Sequence, residues 1–510
     1  MNTLRLTALA LAAFWIGNPA WSQQQPSPKS RDWTSVEGNR ITADYLGVQD
    51  SNVVLKLPTG RISVVPLSKL SAADNSFVEH NLVGYYPPWH GWARDAGMLP
   101  VGLTVDEVRS ASGSFIYTTQ HFRFDSDVNL GTQLMKDLAK VFEQAYDLNS
   151  KSPFGILAKQ RDQRFDARLF GTKNAYLKAG GREGTSGIYL LKDKVFLAPL
   201  ELMGVRSGTA GWRKGSNDYD PSTIVHELTH MLTHDMLGNL PTWMNEGYAE
   251  YVSKIPIEGN EFKTGSDKIR EGIREVFIRQ HEKGRTAPGG KPIRLDKAAR
   301  NAYLSGASLP ALYRVEKVLQ MTNEEWATGM APVPPARTGG TTANPSPGTG
   351  GPAGQPPLPA GIRIRSIAAS DPNRLPKLYR TAHLIIYYFI QIEGEKGVLK
   401  LQRFLDANRG NLVRYQRYRE DFKTYETEMA IFMKRPGVTA LADGRVSYPA
   451  NVQPPKAPEP PFTDPTSLQL GGLPILLGGE SATVVGARIE KALKEDLGMN
   501  LRFVDKPGGW

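Results

Sequence analysis

Short runs in which apolar and polar residues alternate open the structured part of the chain. Arg40-Ile41-Thr42-Ala43-Asp44-Tyr45-Leu46, Asn52-Val53-Val54-Leu55-Lys56-Leu57 and Arg61-Ile62-Ser63-Val64-Val65-Pro66 are each of strand length. Glu37-Gly38-Asn39, Gln49-Asp50-Ser51 and Pro58-Thr59-Gly60 supply turns between them. A meander of small antiparallel strands closing into a barrel is therefore expected over residues 31–81, with a helix from Ser71 to His80 at its end. Residues 82–110, densest in Pro, Trp and Gly between Tyr85 and Thr104, read as a connector.

A second region begins with strands at 114–118 and 121–124 and a helix from Leu130 to about Leu148, which sets Leu134, Leu138, Val141, Phe142 and Ala145 on one face. Strands follow at 168–171 and within 187–199, and helical spacing dominates afterwards, which predicts an α+β domain over 111–440 with a helical C-terminal half. Residues 331–361 collapse to Pro, Gly, Thr and Ala and cannot bury enough apolar surface to offset chain entropy, so a disordered insertion is expected there. Helical spacing returns from Pro376 to Leu405. A Pro-rich linker at 451–465 sets off a C-terminal segment, 466–510, with a strand-helix-strand pattern around Ser481 to Val504 and no motif of known chemistry. The chain is thus read as multidomain.

The N-terminus adds a destination. Met1-Asn2-Thr3-Leu4-Arg5, an apolar stretch from Leu6 to Ile16 and the small residues before Gln23 form a signal peptide pattern over residues 1–22. A buried helix is the other reading, but the stretch has no amphipathic face. Export to the periplasm or the extracellular space is expected, and no later apolar run reaches membrane-spanning length. The chain has no cysteine, which excludes disulfides, thiolate ligands and a cysteine nucleophile. Its net charge of +11 would suit a nucleic acid, but an exported protein meets little of it and the basic residues are scattered, so no nucleic-acid partner is expected. The densest basic group, Arg403 to Lys423, is interleaved with Glu420 and Asp421 and reads as a solvated helix face, with attraction to an anionic envelope surface in reserve.

The candidate chemistry lies between Asp220 and Tyr251. Asp220-Pro221 is a helix start and Gly238 a helix stop, so a helix of about four turns is predicted. His226 and His230 are one turn apart and can offer two imidazoles to one ion, while Ile224, Leu228, Met231 and Leu232 form the opposite, apolar face. Glu227 sits beside them and can accept a proton from a metal-bound water. A second helix beginning near Leu240 carries Glu246 and Glu250 on one face; packed against the first, it would bring Glu246 to the ion as a third ligand and leave a position open for water, the arrangement of catalytic rather than structural Zn²⁺. Glu250, one turn on, suits a hydrogen bond that fixes a histidine ligand. A solvated face is the alternative for both acids. His234 is expected to be solvated or to support the site from outside the ligand set.

His226-Glu227-Leu228-Thr229-His230 followed by Trp243-Met244-Asn245-Glu246-Gly247-Tyr248-Ala249-Glu250-Tyr251 resembles the gluzincin zinc metallopeptidases, particularly the bacterial peptidase-MA-like envelope proteins. The resemblance implies a zincin-like fold, with a mixed sheet whose edge strand aligns peptide substrate and the motif helix beneath it. It also implies an oxyanion donor, for which Tyr379 is chosen because the family tends to carry a tyrosine there, with His383 as the alternative. Either could equally be a core residue. Arg31-Asp32-Trp33-Thr34 through Pro66-Leu67-Ser68-Lys69-Leu70-Ser71 resembles an SH3-like Sla-type homology domain, which would hold a protein partner; a generic spacer is the other reading.

Rival uses of the motif are narrowed. A metzincin needs histidine six residues after His230 and a glycine between, but position 236 is Met and 233 is Thr. No Gly-x-Met-x-Glu-Asn exopeptidase element is present, which points to an endopeptidase. The expected function is hydrolysis of peptide bonds in envelope or extracellular proteins or peptides, with Glu227 as general base. The alternative is a non-catalytic binding or scaffold protein that uses the SH3-like domain and keeps a vestigial zincin region; the intact Glu227 speaks against it.

Overall fold

The computed structural model describes residues 2–5 and, with short gaps, 30–328 and 374–505. The expected insertion at 331–361 lies outside the described residues, as does most of the expected leader; Asn2–Arg5 pairs antiparallel with Arg445–Tyr448. The fold is mixed α/β, with several separate sheets and many helices.

The meander forms as Ser30–Thr34, Arg40–Gln49, Asn52–Lys56 and Ile62–Pro66, paired antiparallel in chain order, with the helix Ala72–His80 behind it. The closed barrel expected there does not form. The first and last strands remain edges of an open four-stranded sheet, because each is only five residues long and Pro66 has no N–H to extend a ladder. The chain instead returns to the first strand after its last one, through Val36 N–H to Lys69 O at 3.0 Å and Ser71 N–H to Thr34 O at 2.8 Å. Trp33, Ala43, Val53, Leu55, Leu70 and Val78 make its own small core. Buried Asp74 locks the helix to the sheet by accepting from Thr34 N–H at 2.7 Å and from Arg31 at 2.6 Å.

The large core is built on a six-stranded mixed sheet, ordered Ile188–Leu190, Val195–Pro199, Phe165–Phe170, Phe122–Ser126, Phe115–Thr118 and Asp106–Arg109. The second, third and fourth strands run parallel, and the pairings outside them are antiparallel. Helix Gly131–Ser150 lies on this sheet: Leu138, Phe142 and Ala145 are buried, Leu134 and Val141 pack at the margin, and Phe142 meets the rings of Phe122, Phe124 and Phe196 edge-on. The helix Ser222–Leu237, here the motif helix, packs on it in turn, followed by Thr242–Ser253, the glutamate helix, which packs against both the motif helix and Arg374–Tyr387, the tyrosine helix.

The helical run expected from Pro376 to Leu405 is interrupted. The tyrosine helix passes into a π-turn at Tyr388–Ile392, and Gly394, at φ +63°, restarts the chain as the helix Glu395–Phe432. The C-terminal segment is not set apart. Leu476, Ile489, Leu493 and Leu497 are buried in the large core, and Phe503–Val504 pairs parallel with Leu312–Tyr313. No helix among the described residues is long and apolar enough to cross a membrane.

Candidate metal centre

The motif helix buries Ile224, Leu228, Met231 and Leu232 and turns His226 and His230 toward the glutamate helix. Pro221 O accepts from Val225 N–H to close the first turn; Asp220 and Gly238, the expected start and stop signals, lie outside the described residues. The glutamate helix is pinned at its first residue, where Asn323 Oδ1 accepts from Thr242 N–H at 2.7 Å and from Thr242 Oγ1 at 2.8 Å. Four residues later comes Glu246.

Three atoms converge. His226 Nε2 lies 3.1 Å from His230 Nε2, and Glu246 Oε2 lies 3.3 Å from the first and 3.4 Å from the second. Ligands about 2.0–2.1 Å from a tetrahedral ion stand roughly 3.3–3.4 Å apart, so this triangle has the dimensions of one face of a coordination tetrahedron. Two imidazole nitrogens and a carboxylate oxygen suit a divalent ion. Among the described residues, this is the one group of three or more His, Asp or Glu side chains that could hold a metal. The side chains are 13–16% exposed, so the cluster is sheltered but not sealed from solvent.

The surroundings orient this set. His230 Nδ1 lies 3.1 Å from Asn245 Oδ1; an amide oxygen only accepts, so Nδ1 carries a proton and Nε2 is the nitrogen that faces the triangle, its lone pair free once the ring is neutral. Glu250 Oε1 lies 3.4 Å from His226 Nδ1, which makes no well-aligned hydrogen bond in this arrangement, and Lys254 sits 3.8 Å from the other Glu250 oxygen. Glu227 is fixed from the sheet: the N–H of Tyr189, on the edge strand Ile188–Leu190, donates to its Oε2 at 3.1 Å.

Charge balance is tight. Burial alone would raise the Glu246 pKa, but His230 and His226 hold it well below the usual carboxylate range. Burial alone would lower that of His230, but the Glu246 and Glu227 charges and the Asn245 bond push it up to about 9. Without an ion, the pair therefore shares a proton that a ligand set must give up.

Tyr379 is half-buried, with its ring 6.3 Å from that of His226 and its hydroxyl close enough to Glu246 to feel its charge. Burial, then the charges of Glu246 and Glu250, push its pKa above the ordinary tyrosine range. Gly247 makes this approach possible: a Cβ there would lie 2.7 Å from the backbone oxygen of Ala382. His383, one turn after Tyr379, does not join the three ligand atoms. It is buried, faces the edge of Tyr251, leaves Nε2 without a partner, and burial pulls its pKa down to about 4. His234 Nδ1 meets the Tyr189 hydroxyl at 2.7 Å, outside the ligand set.

Three neighbours were not singled out from the sequence. Asn245 carried a signal, since it directly precedes Glu246. The Tyr189 N–H carried none, being a backbone group. Arg380, half-buried with its guanidinium 5.3 Å from the centre of the Phe277 ring and close enough to feel Glu250, has its pKa lowered to about 10 by burial.

No family model matches the chain, and no curated protein matches it.

Proposed function

We propose that the protein is an exported zinc-dependent peptidase, acting on peptide bonds of envelope or extracellular proteins. The observation that carries this reading is the triangle of His226, His230 and Glu246 with Glu227 anchored beside it. The mixed sheet, with its antiparallel edge strand next to Glu227, supports the zincin-like reading of residues 111–440. The meander and its short helix support the SH3-like reading of 31–81 as an open-edged variant. Export rests on the pattern of residues 1–22.

Bound at the triangle, Zn²⁺ would polarise the scissile carbonyl and lower the pKa of a coordinated water. Glu227, anchored beside the triangle, would serve as general base toward the attacking water and return the proton to the leaving amine. One of its oxygens is fixed by Tyr189 N–H, which leaves the other for proton transfer. An extended peptide along the outer edge of Ile188–Leu190 would bring its carbonyl past Glu227. Tyr379, with its raised pKa, stays protonated at neutral pH and so remains a hydrogen-bond donor to developing negative charge on the carbonyl oxygen.

Glu227→Gln should keep one zinc per chain and lower peptide hydrolysis by at least about a hundredfold. His226→Ala should lose the metal. Cleavage mapping of a peptide library with wild type beside Glu227→Gln decides it, and equal activity of the two would leave a binding protein in place of the enzyme.

A further inference from the structure

The helix Glu395–Phe432 is anchored at both ends, with Tyr425 packed against the cluster at its far end, and its middle is the least covered part among the described residues. At its start Leu401 and Phe404 are buried in the large core; at its end Met429 and Phe432 are buried with Val446 and Tyr448 in a separate cluster. From 409 to 428 no described residue is buried. Twenty residues of helix make an arm about 30 Å long.

The arm is not patternless. Tyr415, Tyr418, Phe422 and Tyr425 follow one another at alternating spacings of three and four, and successive rings lie 5.8–6.4 Å apart. The stripe continues the phase of the buried pairs Leu401/Phe404 and Met429/Phe432. These four aromatics are half-exposed, while the charged residues around them are exposed. An apolar stripe repeating every 3.5 residues is the seam of a coiled coil, which wants another helix against it.

The charges indicate which helix. Residues 409–419 hold four arginines, Arg409, Arg414, Arg417 and Arg419, and no acid. Residues 420–428 hold four acids, Glu420, Asp421, Glu426 and Glu428, against the single Lys423. Among the described residues no ion pair is formed within the arm, although Arg417 and Asp421 stand one turn apart. A basic half followed by an acidic half repels its own copy in parallel and complements it antiparallel. We infer that the arm 409–428 pairs antiparallel with the same arm of a second copy, making the protein a dimer through this helix.

The full-length mature chain, sedimented at micromolar concentration, should be dimeric at low salt and weaken as salt rises. Arg414→Glu/Arg419→Glu leaves the arm net acidic, with Arg409, Arg417 and Lys423 against six acids, and Glu426→Lys/Glu428→Lys leaves it net basic, with only Glu420 and Asp421 as acids. Each variant alone should dimerise at least tenfold more weakly than wild type, and the two mixed should recover a heterodimer. That recovery separates lost pairing from lost folding. Phe422→Glu should be monomeric with an unchanged far-ultraviolet spectrum. A monomeric wild type, a dimer indifferent to the arm substitutions, or charge variants that stay folded and fail to pair when mixed would each overturn the proposal.

Discussion

Asn245 accepts from His230 Nδ1 at 3.1 Å, and this one bond sets which nitrogen of the imidazole faces Glu246. Asn245 and Glu246 are adjacent on one helix, so a single backbone segment supplies both one member of the candidate ligand set and the group that orients another. Removing such an orienting partner commonly costs about 10–100-fold in metal affinity. Asn245→Ala should therefore weaken zinc binding by about that factor with the fold kept, and Asn245→Asp, which retains the acceptor, should recover most of it. Competition with a chelator of known affinity measures both; equal affinities for Asn245→Ala and wild type would contradict the assignment.

The His230–Glu246 pair predicts opposite pH responses for stability and metal uptake. In the metal-free protein the His230 pKa is raised from 6.5 to about 9, so its stabilisation is complete below 6.5 and lost as pH climbs to about 9. Glu246 is depressed from 4.5, so its stabilisation is complete above 4.5 and lost on acidification. Thermal unfolding of the metal-free protein should accordingly show a contribution that is largest between 4.5 and 6.5 and falls toward 9. Zinc affinity should rise over the same alkaline window, because binding must expel the His230 proton. A metal-free protein whose His230→Gln variant shows the same pH profile would refute this.

Gly247 governs how closely the glutamate and tyrosine helices approach. A methyl group there would meet Ala382 O at 2.7 Å and Ala382 Cβ at 3.1 Å, and a backbone atom cannot swing aside as a long side chain could. Gly247→Ala should cost about 1–3 kcal/mol through overpacking. It should also push Tyr379 away from Glu246, lowering turnover more than zinc content. Denaturant titration and elemental analysis together test this.

How legible the molecule was in its sequence depended on where each signal lay. The motif helix, the glutamate helix and the strands of 31–66 were readable because period and turn residues are local. The open edges of that first sheet were not, since closure depends on how strands of five residues meet in space. The C-terminal helix carried its own signals, Ser481 capping Val484 N–H and Gly498 in the left-handed region at the far end. Its place in the core was hidden, because Leu312–Tyr313, the strand partner of the Phe503–Val504 that follows it, lies far away in sequence. At the site, the three side chains that converge could be named from spacing, whereas the donor to Glu227 is a backbone group and leaves no trace in residue identity.

Tyr379 offers the sharpest separation of roles at the centre. It lies near Glu246 but is not one of the three side chains that converge, and burial with two nearby carboxylates keeps its hydroxyl protonated. If it donates to charge that appears on the carbonyl oxygen only during reaction, its loss should spare the ground state. Tyr379→Phe should keep full zinc and ordinary peptide affinity while lowering turnover on the order of ten- to a thousandfold. It should also weaken binding of phosphinic peptides, which carry the developing charge, by a comparable factor. His383→Ala gives the contrast: that ring is buried with its pKa pulled down to about 4, so its removal should act on stability and leave phosphinate binding in the folded protein unchanged. Side-by-side inhibition and single-turnover measurements distinguish the two, and a Tyr379→Phe enzyme with unaltered turnover would move the donor's role elsewhere.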